Sequence, residues 1–174
     1  MWKNLINIFL IIFVYSICCI FIYNANQDHS TVITKKNKLK TAYATSDVLA
    51  TIKIDKIGID HPIYPLSNPK NNVDQNISIL KGSILPDKDN SIIFIAAHSG
   101  VGKIAYFNNL DKLNKGDKVS FFYKNKEYKY IVSTIYEEKK DGYIHVSKGK
   151  DKQLVLTTCS KNKGKQLVVN CILT

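Results

Sequence analysis

A histidine and a cysteine each stand at the point where an apolar stretch gives way to a polar one. His98 follows the apolar residues 91–97, and Cys159 follows residues 153–158. Functional side chains are commonly built where a rigid strand ends in a loop. A cysteine thiolate is a strong nucleophile, and a histidine can move the protons that its reaction requires. The pair therefore predicts a nucleophilic cysteine site, although either residue taken alone is more often structural.

The remaining histidines and cysteines of the domain are interpreted as structural. His61 and His145 carry no accompanying motif, and Cys171 is expected in the core. A Cys159–Cys171 disulfide is an alternative, because the strands of the two residues can be neighbours, and it would silence the nucleophile. No histidine or cysteine pair has the spacing of metal ligands, so we predict no metal site and no cofactor.

The elements that position these residues are predicted to be mostly β-strands. Alternating and continuous apolar patterns predict strands over residues 49–54, 59–64, 91–97, 119–123, 126–136, 154–158 and 167–173. Turns are expected at Gly58 and at Lys124-Asn125, and one short helix over residues 105–110. Many short strands with little helix predict an all-β barrel or sandwich.

Two of these strands carry a prediction about their faces. The continuous apolar run of residues 91–97 is typical of a strand that is buried on both faces. The strand over 126–136 alternates instead. One face should hold Tyr128, Tyr130, Val132, Thr134 and Tyr136.

The amino-terminal part of the chain predicts a membrane anchor. Residues 5–23 are apolar over a length that spans a hydrocarbon core of about 30 Å. We predict an uncleaved transmembrane signal anchor there, after a short cytoplasmic stretch of residues 1–4; a cleaved signal peptide is the alternative. Residues 24–46 predict a polar stalk, and residues 47–174 one compact domain. The expected location is the cell membrane, single-pass, with the domain outside.

The charge of the chain limits the classes of partner that we expect it to bind. The 174 residues carry a formal net charge of +11, and every basic residue except histidine is lysine, with no arginine. The lysines are scattered and are not interleaved with aromatic residues as in RNA-binding motifs, so we predict no nucleic-acid partner. The charge favours an exported domain that faces an anionic membrane or wall polymer.

Four stretches of the domain, in order, resemble the motifs of the sortase family. They are residues 54–64, 93–99, 113–119 and 154–159. The last one, Leu-Val-Leu-Thr-Thr-Cys, is similar to the nucleophile motif T-L-x-T-C, with Val155 in place of its first threonine. The first is similar to I-P-x-I-G-V-x-L-P-I-Y, with Asp55 where proline is usual. Residues 93–99 resemble the family's apolar strand that ends in the histidine, and residues 113–119 its L-x-x-G-D-x-I stretch.

The resemblance implies a closed eight-stranded sortase-type β-barrel with short helices. It implies an enzyme, classed with the cysteine peptidases, that cleaves the LPxTG-like C-terminal sorting signal of surface proteins through a Cys159 acyl-thioester. The acyl group then passes to an amine acceptor of the cell wall or a pilin, with His98 moving the protons. Thr158 and Leu156 are the implied substrate contacts. The span between His98 and Cys159 is too short for the long helical insertion of class B, which favours an A-, D- or E-like build.

The third catalytic position departs from the family. Sortases carry an arginine in the pattern R-x-V-V-x-A, and here Gln166 stands at that position. Gln166 is the candidate oxyanion donor, since amides can serve in that role, but it supplies neither charge nor a bidentate fork. The alternatives are that Lys163 or Lys165 swings in, or that the enzyme has low activity.

Two rival hypotheses remain at this point. The first is a degenerate sortase that acts as a wall-binding β module, which the missing arginine favours. The second is a hydrolytic cysteine peptidase. Papain-like peptidases usually place the cysteine before the histidine, whereas His98 precedes Cys159 here.

Overall fold

The computed structural model describes residues 47–147, 149 and 151–174. Within these residues, no helix has the length and apolar character needed to cross a membrane. The predicted segments over residues 1–4, 5–23 and 24–46 lie outside the described part of the chain. Residues Asp47–Thr174 form one compact unit.

Eight strands form one sheet, which closes almost completely into a barrel. The strands are β1 (Ala50–Ile54), β2 (Ile59–Ile63), β3 (Ser78–Ile79), β4 (Ile92–Ala96), β5 (Lys118–Tyr123), β6 (Lys126–Lys139), β7 (Gln153–Cys159) and β8 (Lys165–Leu173). Their order is β2-β1-β5-β6-β8-β7-β4-β3. A parallel bridge between Tyr64 and Ser78 joins the two edges of the sheet. The predicted all-β barrel is confirmed in this nearly closed form.

Seven strands lie where the apolar patterns predict them, and β3 was missed because two residues carry no period. The helix predicted over residues 105–110 is wrong. That segment forms turns, and the backbone N–H of Phe107 donates to the carbonyl of His98 at 3.0 Å. A short 3₁₀ turn follows at Leu110–Lys112, and another lies at Asp55–Ile57. Six residues are too few to form a stable helix without tertiary support, and here the tertiary contact favours the turn.

The strand that is buried on both faces is β7, whereas the sequence predicted β4. In β4 only Ile93 and Ile95 are fully buried, and the alternate residues are partly exposed. Six of the seven residues of β7 are buried, from Gln153 to Thr158. The prediction for residues 91–97 is therefore wrong, because Ile92, Phe94 and Ala96 on the outer face of β4 are only partly buried.

A β-bulge interrupts the predicted alternation of β6. Tyr128, Tyr130 and Val132 share a face as predicted, and that face is buried in the core. The register then shifts between Val132 and Thr134, so that Thr134 is exposed and Ile135 packs against the core. The face prediction is wrong beyond Val132, because one extra residue in a strand exchanges its two faces.

Both predicted turns are confirmed. Lys124 and Asn125 adopt φ values of 49° and 61° between β5 and β6. Positive φ at both central residues matches the right-handed twist of a two-residue hairpin. Gly58 has a φ of 68° and ends the 3₁₀ turn between β1 and β2.

Asp117 ties the start of β5 to the turn between β1 and β2. Its Oδ2 accepts hydrogen bonds from the Lys56 ammonium and from the Asn114 backbone N–H, each at 2.6 Å. The Lys56 hydrogen bond, followed by that of Asn114, holds the pKa of the Asp117 carboxyl below its ordinary value. A carboxyl whose pKa is lowered by folding stabilises the protein above its unfolded pKa, and this stabilisation is lost as the pH falls through the folded pKa.

We therefore expect Asp117→Ala to lower the free energy of unfolding at pH 7 by about 1 kcal/mol, since one side-chain network is lost. At pH 2 the deficit should be smaller than at pH 7, because this stabilisation is lost as the pH falls through the folded pKa of Asp117. Urea unfolding at both pH values measures the difference. Asp89→Ala, which removes an exposed carboxylate from the turn before β4, is the control. An equal deficit at both pH values would contradict the assignment.

Candidate active site

The parallel pairing of β4 with β7 brings the predicted histidine and cysteine to the same edge of the sheet. Ala96 lies opposite Thr157 in this pair. Two residues further along both strands, His98 lies level with Cys159. Neighbouring strands are about 4.8 Å apart, so the two side chains leave adjacent strands at the same height.

Hydrogen bonds hold these two strand ends together. The Thr158 hydroxyl donates to the carbonyl of Ala97 at 2.8 Å, and the Ser99 hydroxyl donates to the carbonyl of Cys159 at 2.7 Å. Each bond crosses from one strand end to the other. The relative position of His98 and Cys159 is therefore held by side chains that lie directly beside them.

His98 has a partner that the sequence did not single out. Its Nε2 lies 2.9 Å from Oδ1 of Asp74, in the loop before β3. A carboxylate oxygen accepts, so Nε2 carries the hydrogen and Nδ1 is left to exchange a proton with a substrate. The contact is exposed, with 38% of the His98 side chain and 74% of the Asp74 side chain accessible. No local pattern marks Asp74, because the two residues are 24 positions apart.

Two clefts adjoin Cys159, and both are lined by Thr158 and Cys159. The first has a volume of about 410 Å³ and contains His98 and Gln166. Its apolar lining comes from Val73, Leu80, Tyr143 and Ile144. The second has a volume of about 350 Å³ and a more polar wall that includes Ser99, Asn108, Asp111, Glu137 and Lys161. The sulfur thus lies where two different environments meet.

The two implied substrate contacts differ in their position. Thr158 borders both clefts. Leu156 is fully buried among the core residues and lines neither cleft. Because successive residues of a strand face opposite ways, Leu156 faces the interior of the barrel while Cys159 faces outward. Leu156 thus supports β7 and does not contact the cleft.

Gln166 lies beside Cys159, but its amide nitrogen already donates hydrogen bonds to other groups. It is opposite Cys159 in the β7–β8 pair and is 8% exposed. Its Nε2 donates to Oε1 of Glu138 at 2.7 Å and to the carbonyl of Tyr143 at 2.6 Å. An amide nitrogen has two hydrogens, so both are used. An oxyanion role for Gln166 stays a prediction, and it requires that one of these bonds be released.

A lysine that the sequence analysis did not consider contacts the sulfur. The ammonium of Lys140 lies 3.1 Å from Sγ of Cys159. Of the lysines proposed from the sequence, Lys165 is paired with Glu137 at 3.8 Å. Nothing in the residues around position 140 distinguishes this lysine from its neighbours, and the only signal was the absence of arginine from the chain.

The other histidines and cysteines of the described residues have structural surroundings. Cys171 is fully buried, and its burial raises the pKa of the thiol to about 12. Cys159 and Cys171 are both free thiols, so the alternative of a disulfide between them is not realised. His145 pairs with Glu138 at 2.9 Å, and the ring of His61 packs edge-on against Tyr106. Within the described residues, no group of three or more histidine, cysteine or acidic side chains could hold a metal ion.

A nearly closed eight-stranded barrel with a thiol and an imidazole at the ends of two parallel strands defines a class of cysteine enzyme. The family model of the sortase domain matches residues 52–174. The chain therefore belongs to the sortase family of cysteine transpeptidases, as its motifs predicted.

Solved sortase structures share this fold. A sortase A lid mutant from Corynebacterium diphtheriae is 24% identical, with 73% of this chain and 70% of that chain covered and a TM-score of 0.65. Sortase C1 from Streptococcus agalactiae is 28% identical, with coverages of 74% and 68% and a TM-score of 0.64. Sortase C from Streptococcus pneumoniae is 21% identical, with coverages of 75% and 70% and a TM-score of 0.64. A search of curated proteins finds no match.

Proposed function

We propose that this chain is a membrane-anchored, extracellular transpeptidase that cleaves an LPxTG-like C-terminal sorting signal and joins the acyl fragment to an amine of the cell wall or a pilin. The observation that carries the proposal is the level placement of His98 and Cys159 at the ends of paired parallel strands, beside a cleft. Membership of the sortase family supports the reaction type.

The reaction follows from this geometry in two halves. The Cys159 thiolate attacks the scissile carbonyl, and the carbon–oxygen π electrons move to the oxygen. When the carbonyl forms again, the carbon–nitrogen bond breaks, and Nδ1 of His98 gives its proton to the departing amine. A thioester remains on Cys159. In the second half an incoming amine attacks that thioester, His98 takes the proton, and the thiolate leaves.

The larger cleft is the proposed site for the sorting signal. It borders both reactive groups and has apolar walls, which suit the apolar residues of an LPxTG-like segment. The net charge of +11 supports a location near anionic wall polymers. The proposed anchor over residues 5–23 would hold the domain at the membrane, where surface proteins emerge.

Mass spectrometry of the full-length chain tests the proposal. We expect an LPxTG-like peptide to increase the mass of the Cys159-containing fragment by the mass of its acyl part. Adding a glycine peptide should discharge this adduct and yield a ligated product with a new amide bond. Release of the acid alone, with no ligation, would support the hydrolytic peptidase instead. Peptide binding with no adduct and no product would support the wall-binding module.

A further inference from the structure

The chain lacks arginine, but a lysine ammonium contacts the reacting sulfur of Cys159. Nζ of Lys140 is 3.1 Å from Sγ of Cys159. Gln166, at the usual arginine position, has both amide hydrogens committed elsewhere. We propose that Lys140 is the cationic catalytic residue of this enzyme, which stabilises first the Cys159 thiolate and then the oxyanion formed by its attack. This inference rests on the function proposed above.

The backbone places Lys140 beside the sulfur. Lys140 directly follows β6, and its N–H donates to the carbonyl of Gly164 at 2.9 Å. Gly164 lies in the turn that joins β7 to β8, with a φ of 76°. That turn is closed on itself by the bond from the Ser160 N–H to the Lys165 carbonyl at 3.0 Å. The same turn therefore holds both the end of the Cys159 strand and the backbone of Lys140.

The neighbouring carboxylates have other partners. Glu137 accepts from the Ser160 hydroxyl, from Nδ2 of Asn162 at 2.8 Å, and pairs with Lys165. Glu138 accepts from Gln166 and pairs with His145. Asp141, the next residue after Lys140, accepts from the backbone N–H of Tyr143 at 3.1 Å. These three acids lie within three residues of Lys140 in the chain and would otherwise be the natural partners of its ammonium.

The glutamine thereby has a different role from that of the arginine it replaces. Its two hydrogen bonds connect the end of β6, through Glu138, with the segment that carries Tyr143. Lys140 lies between these two points of attachment in the chain. Gln166 therefore acts as a positioning residue for the segment from which Lys140 reaches the sulfur.

During the reaction the negative charge moves from the sulfur to the carbonyl oxygen, and one ammonium can reach both atoms. Once Cys159 has lost its proton, the negative charge is on Sγ. As the sulfur–carbon bond forms, the charge passes to the carbonyl oxygen, which is two bonds away. A lysine ammonium has three rotatable donors and can turn from the sulfur to the oxygen without moving its backbone. Collapse of the intermediate returns the electron pair to the carbonyl, while His98 protonates the amine.

Four variants of the full-length chain test this role. Lys140→Ala should lower kcat/KM for an LPxTG-like peptide by about 100- to 1000-fold, the range found when an oxyanion donor is removed. Lys140→Arg keeps charge and donors and should retain activity within about tenfold of wild type. Lys139→Ala removes the same charge one residue away, on the other face of the strand, and should stay within about twofold. Gln166→Ala should lose less than Lys140→Ala.

A second readout separates a charge at the sulfur from a general loss of structure. Alkylation of Cys159 by iodoacetamide at pH 7, followed on the Cys159 fragment by mass spectrometry, reports the reactive thiolate. We expect it to slow about fivefold or more in Lys140→Ala and to stay unchanged in Lys139→Ala.

The results of these experiments distinguish a failure of the lysine role from a failure of the proposed function. Wild-type kcat/KM in Lys140→Ala, with an inactive Cys159→Ala, would overturn the lysine role and leave the proposed function intact. A greater loss in Gln166→Ala than in Lys140→Ala would also overturn it, in favour of the glutamine. An active Cys159→Ala would overturn the proposed function itself.

Discussion

Replacing Cys159 by alanine is expected to remove transpeptidation almost completely, with kcat/KM falling by about 10⁴-fold or more. The thiol forms the covalent intermediate, and no other free thiol of the described residues can take its place. Cys171 is fully buried on the core side of β8. Initial rates with an LPxTG-like peptide and a glycine acceptor measure the loss.

The matched control is Cys171→Ala, which also removes one thiol from the barrel. It should cost about 1 kcal/mol of stability through the small cavity that it leaves, with little effect on kcat/KM. Thermal unfolding and initial rates distinguish the two effects. Cleavage and ligation by Cys159→Ala at rates near those of wild type would exclude a thioester intermediate.

The second large effect is expected for His98→Gln. Glutamine has a similar length but cannot transfer a proton, and general acid–base catalysis contributes about 10²- to 10⁴-fold. The loss should depend on the leaving group. An amide substrate needs its nitrogen protonated, whereas a thioester substrate releases a thiolate that needs no proton. Steady-state rates on both substrates therefore provide the test.

Asp74→Asn is the companion variant for the histidine. It keeps the size of the side chain but removes the carboxylate that lies 2.9 Å from Nε2. Because the contact is exposed, we expect only a severalfold loss of kcat/KM, and Asp89→Asn should have no effect.

An equal loss on amide and thioester substrates for His98→Gln would show that the histidine positions the site and does not donate a proton.

The placement of the two reactive residues could be predicted because it depends on local patterns. Apolar runs end at His98 and at Cys159, and each run formed the strand expected of it. That the two strands pair in parallel does not follow from either run. It depends on the order of eight strands around the barrel, which the apolar patterns do not give.

The side-chain contacts of His98 and Cys159 could not be predicted either, because they also depend on how distant segments of the chain come together. Asp74 reaches His98, and Lys140 reaches Cys159, from loops that are separated from their partners by 24 and 19 positions. Loop conformation is set by bonds such as that of the Lys140 N–H to Gly164, and these involve backbone atoms that every residue shares. Among 25 lysines, composition alone could not select this one.

The bulge in β6 shows the same limit inside a strand. The alternation correctly predicted that Tyr128, Tyr130 and Val132 share a face, and the structure shows that this face is buried. The inserted residue after Val132 exchanged the faces without altering the strand character of the sequence. The bulge also sets which way the end of β6 faces, where Glu138 lies and which Lys140 directly follows.

The proximity of Lys140 to Cys159 has a consequence for an enzyme that joins acyl groups to amines. Its own side chain places a primary amine 3.1 Å from the sulfur that carries the acyl group. Protonated, that nitrogen has no free electron pair and cannot attack the thioester. Deprotonated, it is an intramolecular acceptor, and capture of the acyl group would leave an isopeptide bond that permanently blocks the site. An arginine at the same place carries no such liability at any physiological pH. The use of a lysine rather than an arginine beside the sulfur thus places a competing amine inside the site of this sortase.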